Sequence, residues 1–253
     1  MPSQGIRELQ IAVNDLLANK RAGPARNLVA SRLEKTPAGN KRLQQNLLNV
    51  MLSIELYLQR PGPALELLAK IRSMGFASIP DSFDATLGIA SLLASKRKWF
   101  SARAELTQLL SDARCTRWPG ILDALKIYVD VEEACSKQMD YRVRRAYSGA
   151  LKQFGFSSPV PTDDNDLQQS IKVAHSDFRV SSSRHTQCIL AVLSANTEDA
   201  RSRVAVQLRN NLKMETVGFF RDQGKDLLKH LERKTRKSII KRSTDPKQHG
   251  PSK

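Results

Sequence analysis

Apolar residues recur every three to four positions through the first half of the chain, the spacing of a helix with one buried face. Ile6, Leu9, Val13, Leu16 and Leu17 make one such stripe, Leu43, Leu47, Leu48, Met51, Leu52 and Ile54 another, and Phe83, Leu87, Ala90, Leu92 and Leu93 a third. A second kind of stripe follows each: Leu28, Val29 and Leu33; Leu67, Leu68 and Ile71; Leu106, Leu109 and Leu110. An alanine heads each stripe of the second kind, Ala25, Ala64 and Ala102, at separations of 39 and 38 residues. Between the two stripes stand Gly23-Pro24, Pro61-Gly62-Pro63 and the basic turn Lys96-Arg97-Lys98, residue types that interrupt helices or turn the chain. The pattern predicts a unit of helix A, tight turn, helix B and looser turn. Such a unit cannot bury its helical faces alone, whereas stacked copies share a continuous core. The expected fold is therefore all-α, an α-solenoid of helix-turn-helix repeats, with the alanines at close helix-helix approaches.

Beyond the third unit, Ile121, Leu122, Leu125, Ile127 and Val129 predict a mostly buried helix, with Trp118 beside Pro119 and Gly120 as a turn anchor. Residues 141–156 fit helix B of a fourth unit. The stretch SSPVPTDDNDL, 157–167, has almost no apolar content and marks a boundary; Asp163 or Asp164 is placed to cap the next helix. The organisation expected is a repeat array over 1–156, a linker over 157–166, a mostly helical region over 167–232 and a basic disordered tail over 233–253. In the third of these, Gln187–Ser194 fits strand or buried helix, Glu198–Lys213 fits a helix with Ala200, Val204 and Leu208 on one stripe, and Glu215–Phe220 has strand character. A small α/β element near the C-terminus thus stays open beside the all-helical reading.

Charge changes the picture. Of 253 residues, 41 are Lys or Arg and 25 Asp or Glu, a net charge of +16 and a pI of about 10.1. Such a surplus favours polyanionic partners. It is uneven: residues 161–220 balance seven basic against seven acidic, while 221–253 hold eleven against four and the first 76 residues eleven against five. Lys and Arg neutralise phosphates and release counterions whatever the base sequence. The candidate nucleic-acid contacts are Lys41, Arg42, Lys96, Arg97, Lys98, Arg142, Arg144 and Arg145 in the array, and Arg233, Lys234, Arg236, Lys237, Lys241 and Arg242 in the tail. The tail set serves equally as a nuclear address.

Chemistry is sparse. Cys115, Cys135 and Cys188 are dispersed and odd in number, without a CxxC or Cys/His cluster, which speaks against a disulfide framework or zinc site and for a reducing, intracellular compartment. No phosphate-binding glycine loop, zinc-protease motif or nucleophile elbow occurs. Ser181 to His185, SSSRH, reads as a polar turn. No cofactor, metal or catalytic residue is expected. No run of about 18 apolar residues is present, so no membrane partner is expected, and the first residues lack the pattern of a secretory signal.

The run from Ala64, ALELLAKIRSMGF followed by IPDSFDATLGIASLLASKRKWFSA, resembles the pentatricopeptide repeat, with the related tetratricopeptide repeat a close rival. Ala64, Gly75, Pro80, Asp81 and Ala102 fall near that family's offsets: alanine heading helix B, a glycine suited to cap it, and Pro-Asp opening the next helix A. The likeness is best over 64–113 and extends more loosely over 5–63; the loop before Pro80 is about two residues longer than the family's. The pentatricopeptide resemblance implies single-stranded RNA binding in an organelle such as the mitochondrion, with Thr86 at the base-contacting position of helix A. The equivalent offset in the preceding unit falls near Leu48, which implies little sequence specificity. The tetratricopeptide resemblance implies a protein-protein adaptor that holds a partner peptide or helix; without the pentatricopeptide resemblance the compartment expected is cytoplasm or nucleus. A third reading is a helical viral or structural nucleoprotein that coats RNA. The first is expected: a non-enzymatic RNA-binding or ribonucleoprotein-associated repeat protein.

Overall fold

The computed structural model describes residues 4–74, 79–135 and 139–244, with side chains over 5–74, 82–135 and 139–233. Among the described residues there are eleven α-helices, a short 3-10 helix and no strand. In chain order they are α1 Gln4–Ala18, α2 Ala22–Glu34, α3 Lys41–Tyr57, α4 Pro61–Ser73, α5 Ile79–Ser95, α6 Trp99–Ser111, α7 Ile121–Cys135, α8 Tyr141–Phe154, α9 Asp164–Ser194, α10 Glu198–Met214 and α11 Gly218–Thr244. The 3-10 helix, Ala113–Arg117, precedes α7. Packing divides the chain into two units, Met1–Tyr147 and Ser148–Lys253, and the division falls inside α8.

In the first unit each helix from α1 to α7 packs on the next, and α1, α3, α5 and α7 also pack on one another in series. This is the contact order of helical hairpins in which α1, α3 and α5 are the A helices and α2, α4 and α6 the B helices, with α7 packed next in the A series. The reason is visible at the repeat alanines: Ala25, Ala64 and Ala102 are each 0% exposed. A methyl side chain there lets neighbouring helices meet closely, and the flanking Val29, Leu68 and Leu106 fill the seam, also fully buried. The predicted A-helix stripes are buried at Ile6, Leu9, Val13 and Leu17, at Leu47, Leu48, Leu52 and Ile54, and at Phe83, Ala90, Leu92 and Leu93. Leu28 is a correction. Expected on the apolar face of α2, it is 40% exposed, because burial follows Ala25 and Val29 and leaves the residue between them outside.

Trp118 anchors the entry to α7. Its indole Nε1 donates to Asp84 Oδ1 at 2.9 Å and its ring lies 5.6 Å from that of Phe83. Gly120 is required beneath it: a Cβ there would stand 2.2 Å from Trp118 Cζ2. Gly75, expected as a helix cap, lies outside the described residues.

The second unit holds α9, α10 and α11, each packed on the other two. Asp163 caps α9, its side chain accepting from the amides of Asn165 and Asp166. Along α9 the buried positions are Leu167, Ile171, Ala174, Ser181, Cys188 and Val192, and the half-buried Phe178 and His185 complete an alternating four-three spacing. That is the seam of a helix packed along its length against partners. The α/β alternative is therefore corrected. Gln187–Ser194 ends α9, with Cys188 and Val192 buried while Leu190 and Leu193 are 59% and 70% exposed, a helical and not an alternating pattern. Glu215–Val217 is the connector into α11, pinned by the buried Glu215: Ser181 Oγ donates to its Oε1 at 2.5 Å and the Val217 amide to the same oxygen at 2.9 Å. Phe154, Phe178, Phe219 and Phe220 form an edge-to-face cluster with ring separations of 4.8–5.7 Å. Beside it Gly155, at φ 68°, accepts from the Gly218 amide at 3.2 Å; a side chain on Gly155 would meet the Gly218 backbone at 3.0 Å. The tail is also partly corrected. Residues 233–244 continue α11, since Lys and Arg, half of this stretch, are good helix formers. Residues 245–253 lie outside the described residues.

Candidate nucleic-acid interface

The three A-to-B turns share one backbone design. Lys20, Gln59 and Arg97 each take a left-handed conformation, at φ 58°, 55° and 56°. Each stands five residues before its repeat alanine. Around each, the same two bonds close the A helix: Lys20 N to Leu17 O and Arg21 N to Leu16 O; Gln59 N to Leu56 O and Arg60 N to Glu55 O; Arg97 N to Ala94 O and Lys98 N to Leu93 O, all 2.7–3.0 Å. This is a Schellman closure, in which glycine is the usual left-handed residue because a Cβ is strained there. Here none of the three is glycine.

The residue after each, Arg21, Arg60 and Lys98, is the N-cap of the B helix and makes no side-chain cap bond. Lys20, Arg21, Arg60, Lys96, Arg97 and Lys98 are all exposed, and none forms an ion pair among the described residues. The repeat thus sets cations at the same place in three successive turns. Lys96, Arg97 and Lys98 were legible as a basic turn. Sequence reasoning missed Lys20, Arg21 and Arg60, which form no basic run of their own beside the Gly-Pro breakers, although Arg21, Arg60 and Lys98 keep the same 39- and 38-residue spacing as the alanines.

The other predicted contacts are dispersed. Lys41 and Arg42 open α3, at the far end of α2 from the first A-to-B turn, about 20 Å along that helix. Arg142, Arg144 and Arg145 lie in the first turns of α8. Arg142 is 3.9 Å from Asp140, and Arg145 donates to the Ser111 carbonyl at 3.0 Å. Arg233 is exposed on α11 in the second unit, and Lys234, Arg236, Lys237, Lys241 and Arg242 fall on the last part of α11, outside the described side chains.

Thr86 is not at a surface. It is 1% exposed, accepting from Arg72 Nη2 at 2.9 Å and donating to the Ser82 carbonyl at 2.8 Å. Arg72 continues to Gln108 and Glu105, so the hydroxyl serves the junction of α4, α5 and α6, where no base can reach it.

The polar run SSSRH is likewise helix, not turn: it lies within α9, with Ser181 bonded to Glu215 and the His185 ring 5.5 Å from that of Phe220. Burial lowers the His185 pKa, with Glu215 opposing the shift. The adjoining cavity, between His185, Cys188, Asn211 and Glu215, has a volume of about 20 Å³. That suits about one water and is far below the size of small-molecule sites. Cys115 is fully buried, and desolvation pushes its thiol up to about 11, the behaviour of a packing residue. Among the described residues no cluster of His, Cys, Asp and Glu is arranged for a metal, and no helix is long and apolar enough to cross a membrane. No protein-family model and no curated protein matches the chain.

Proposed function

We propose that this chain is a non-enzymatic helical-repeat protein that binds single-stranded RNA mainly through its phosphates, alone or within a ribonucleoprotein. The observation that carries the reading is the register of the turn cations. Lys20-Arg21, Arg60 and Lys96-Arg97-Lys98 occupy equivalent turns and are exposed without ion pairs among the described residues. A polyanion following the array would meet them in sequence. The left-handed positions add weight: glycine is easier there, yet two of the three carry long cationic side chains. With Thr86 buried, binding is governed by phosphates and is weakly selective for base sequence. The pentatricopeptide-like order of alanine-headed B helices accords with the same use.

The test is equilibrium binding of the full chain to a fluorescein-labelled 20-nucleotide oligouridine across a salt series. Log affinity should fall linearly with log salt. Replacing Lys20, Arg21, Arg60, Lys96, Arg97 and Lys98 by Gln should make the slope shallower by up to about four, at about 0.7 per phosphate on single strands. No binding at low salt, or a slope untouched by the replacements, would turn the reading toward a peptide-holding adaptor.

A further inference from the structure

Helix α9 carries two stripes on opposite sides. The first is buried, and its end shares a core with both neighbours: Cys188 and Val192 pack with Ala205 and Leu208 of α10 and with Leu231 of α11. The second runs Val173, Ser176, Val180, Ser183, Gln187 and Leu190, an alternating three-four spacing that keeps these residues on one line of the helix. At 3.6 residues per turn this line lies across the helix from the buried one. All six are exposed, the aliphatic ones strongly so, with Val173 at 50% and Val180 at 53% beside the exposed Leu190. None is charged. A helix face turned to water is ordinarily rich in charge. Here the outer face of α9 instead reads as a second packing seam, about 26 Å long.

Charge selects the occupant. With a net charge of +16 two whole chains repel, but residues 161–220 balance seven basic against seven acidic, so around this stripe two copies approach without that penalty. The stripe also complements itself when a second copy runs antiparallel, centred on Ser183. Ser183 then meets its own counterpart, Ser176 meets Leu190, and Val173 meets Leu193, so that serines leave room where leucines project. The flanking charges fall opposite uncharged residues: Lys172 opposite Ser194, Asp177 opposite Ile189, Arg179 opposite Gln187 and Arg184 opposite Ser182. In a parallel pair in register each of these charges would face its own like. We propose that the outer face of α9 is a self-association surface on which α9 of a second copy of this chain packs antiparallel. A single pair of helices buries less than the ~1,200 Å² of a standard interface, so the dimer is weak and depends on concentration. The inference is independent of the RNA-binding reading.

The experiment is sedimentation equilibrium of the full chain over a concentration series, after nuclease treatment and at low and high salt. The mass should rise with concentration from 28.3 kDa towards twice that value. It should do so at both salt concentrations, because the seam is built without charge. Ser183→Glu sets two carboxylates face to face and should weaken the dimer more than about tenfold. Ser176→Glu and Leu190→Lys should each weaken it as well. The double variant should recover most of the loss, since the antiparallel copy then pairs Glu with Lys twice. All three positions are exposed, so the melting temperature should match that of the wild type, which separates a lost contact from a lost fold. A wild type that stays monomeric at every concentration overturns the proposal. Association untouched by Ser183→Glu lies elsewhere on the molecule and overturns it too. A double variant weaker than either single change means parallel pairing and overturns the antiparallel arrangement. Association that vanishes with nuclease belongs to bridging RNA; it overturns the dimer and leaves the RNA-binding reading standing.

Discussion

Arg103 on α6 donates to the buried Glu132 on α7, 29 residues further along the chain, and Arg26 on α2 pairs with the buried Glu55 on α3 at the same interval, Nε to Oε1 2.8 Å. Both arginines stand one residue after a repeat alanine. The corresponding positions of the middle unit are Leu65 and Ala94, so the same joint is built once in apolar form and twice in ionic form. The ionic form is demanding. Glu132 is 1% exposed, and its carboxylate shares the buried joint with the Tyr128 hydroxyl and Thr107. Burial, with Glu132 adding to it, raises the Tyr128 pKa and holds the phenol neutral.

Removing only the cation should therefore be costly. Arg103→Ala strands a carboxylate out of water and is expected to destabilise the first unit by about 3–5 kcal/mol. The double change Arg103→Leu with Glu132→Ala copies the middle joint and should restore most of that loss. Chemical denaturation of the three proteins decides it; a double variant as unstable as the single would show that the ionic joint is not replaceable.

Gly120 is fixed by Trp118. Gly120→Ala forces the indole from its place between Phe83 and Asp84, and overpacking of this kind is expected to lower stability by about 1–3 kcal/mol. Trp118 fluorescence should shift to the red in the variant as its ring gains water. An unchanged melting temperature and emission would mean that the turn does not close over the glycine.

His185 gives the second unit a pH signature. Burial lowers its folded pKa below the ordinary 6.5, and Glu215 only partly offsets this. The unfolded chain then binds the proton more strongly than the folded one, so stability is fully present above about pH 6.5 and is lost as pH falls through the folded pKa. His185→Gln removes that term. The difference in melting temperature between wild type and variant should change between pH 7 and pH 5, with the wild type losing more; parallel curves would show that His185 does not titrate against the fold.

The array was legible because its marks are chemically distinctive: alanine at a close helix crossing, flanked by leucine, repeats at a fixed interval. The second unit was obscured because the seam of α9 is occupied by Ala174, Ser181, His185 and Cys188 as well as by Leu167 and Ile171. A hydropathy count sees those as polar turn or neutral filler, although their four-three spacing is regular. Thr86 failed as a surface candidate for a related reason. A hydroxyl on an A helix looks available until Arg72, 14 residues earlier, is seen to fold onto it. The turn cations are the reverse case. Their spacing was as regular as that of the alanines, but their importance depends on exposure and on the lack of ion pairs among described residues, which no linear pattern reports.

The left-handed residues separate stability from binding. A non-glycine residue in that region carries roughly 1–2 kcal/mol of backbone strain, so Arg97→Gly should leave the fold as stable as before or slightly more so, the relief being partly offset by the greater freedom of glycine in the unfolded chain. The same change removes one exposed cation from the densest turn. Affinity for single-stranded RNA should fall, and the salt slope should become shallower by about 0.7. Lys20→Gly should behave alike. Gln59→Gly, in the one turn whose left-handed residue is uncharged, should gain the same stability and leave the slope alone. This three-way comparison is informative because the backbone event is identical in all three turns and only the charge differs. If all three variants altered binding equally, the effect would belong to turn geometry, and the turn cations would lose their place as the phosphate-contacting groups.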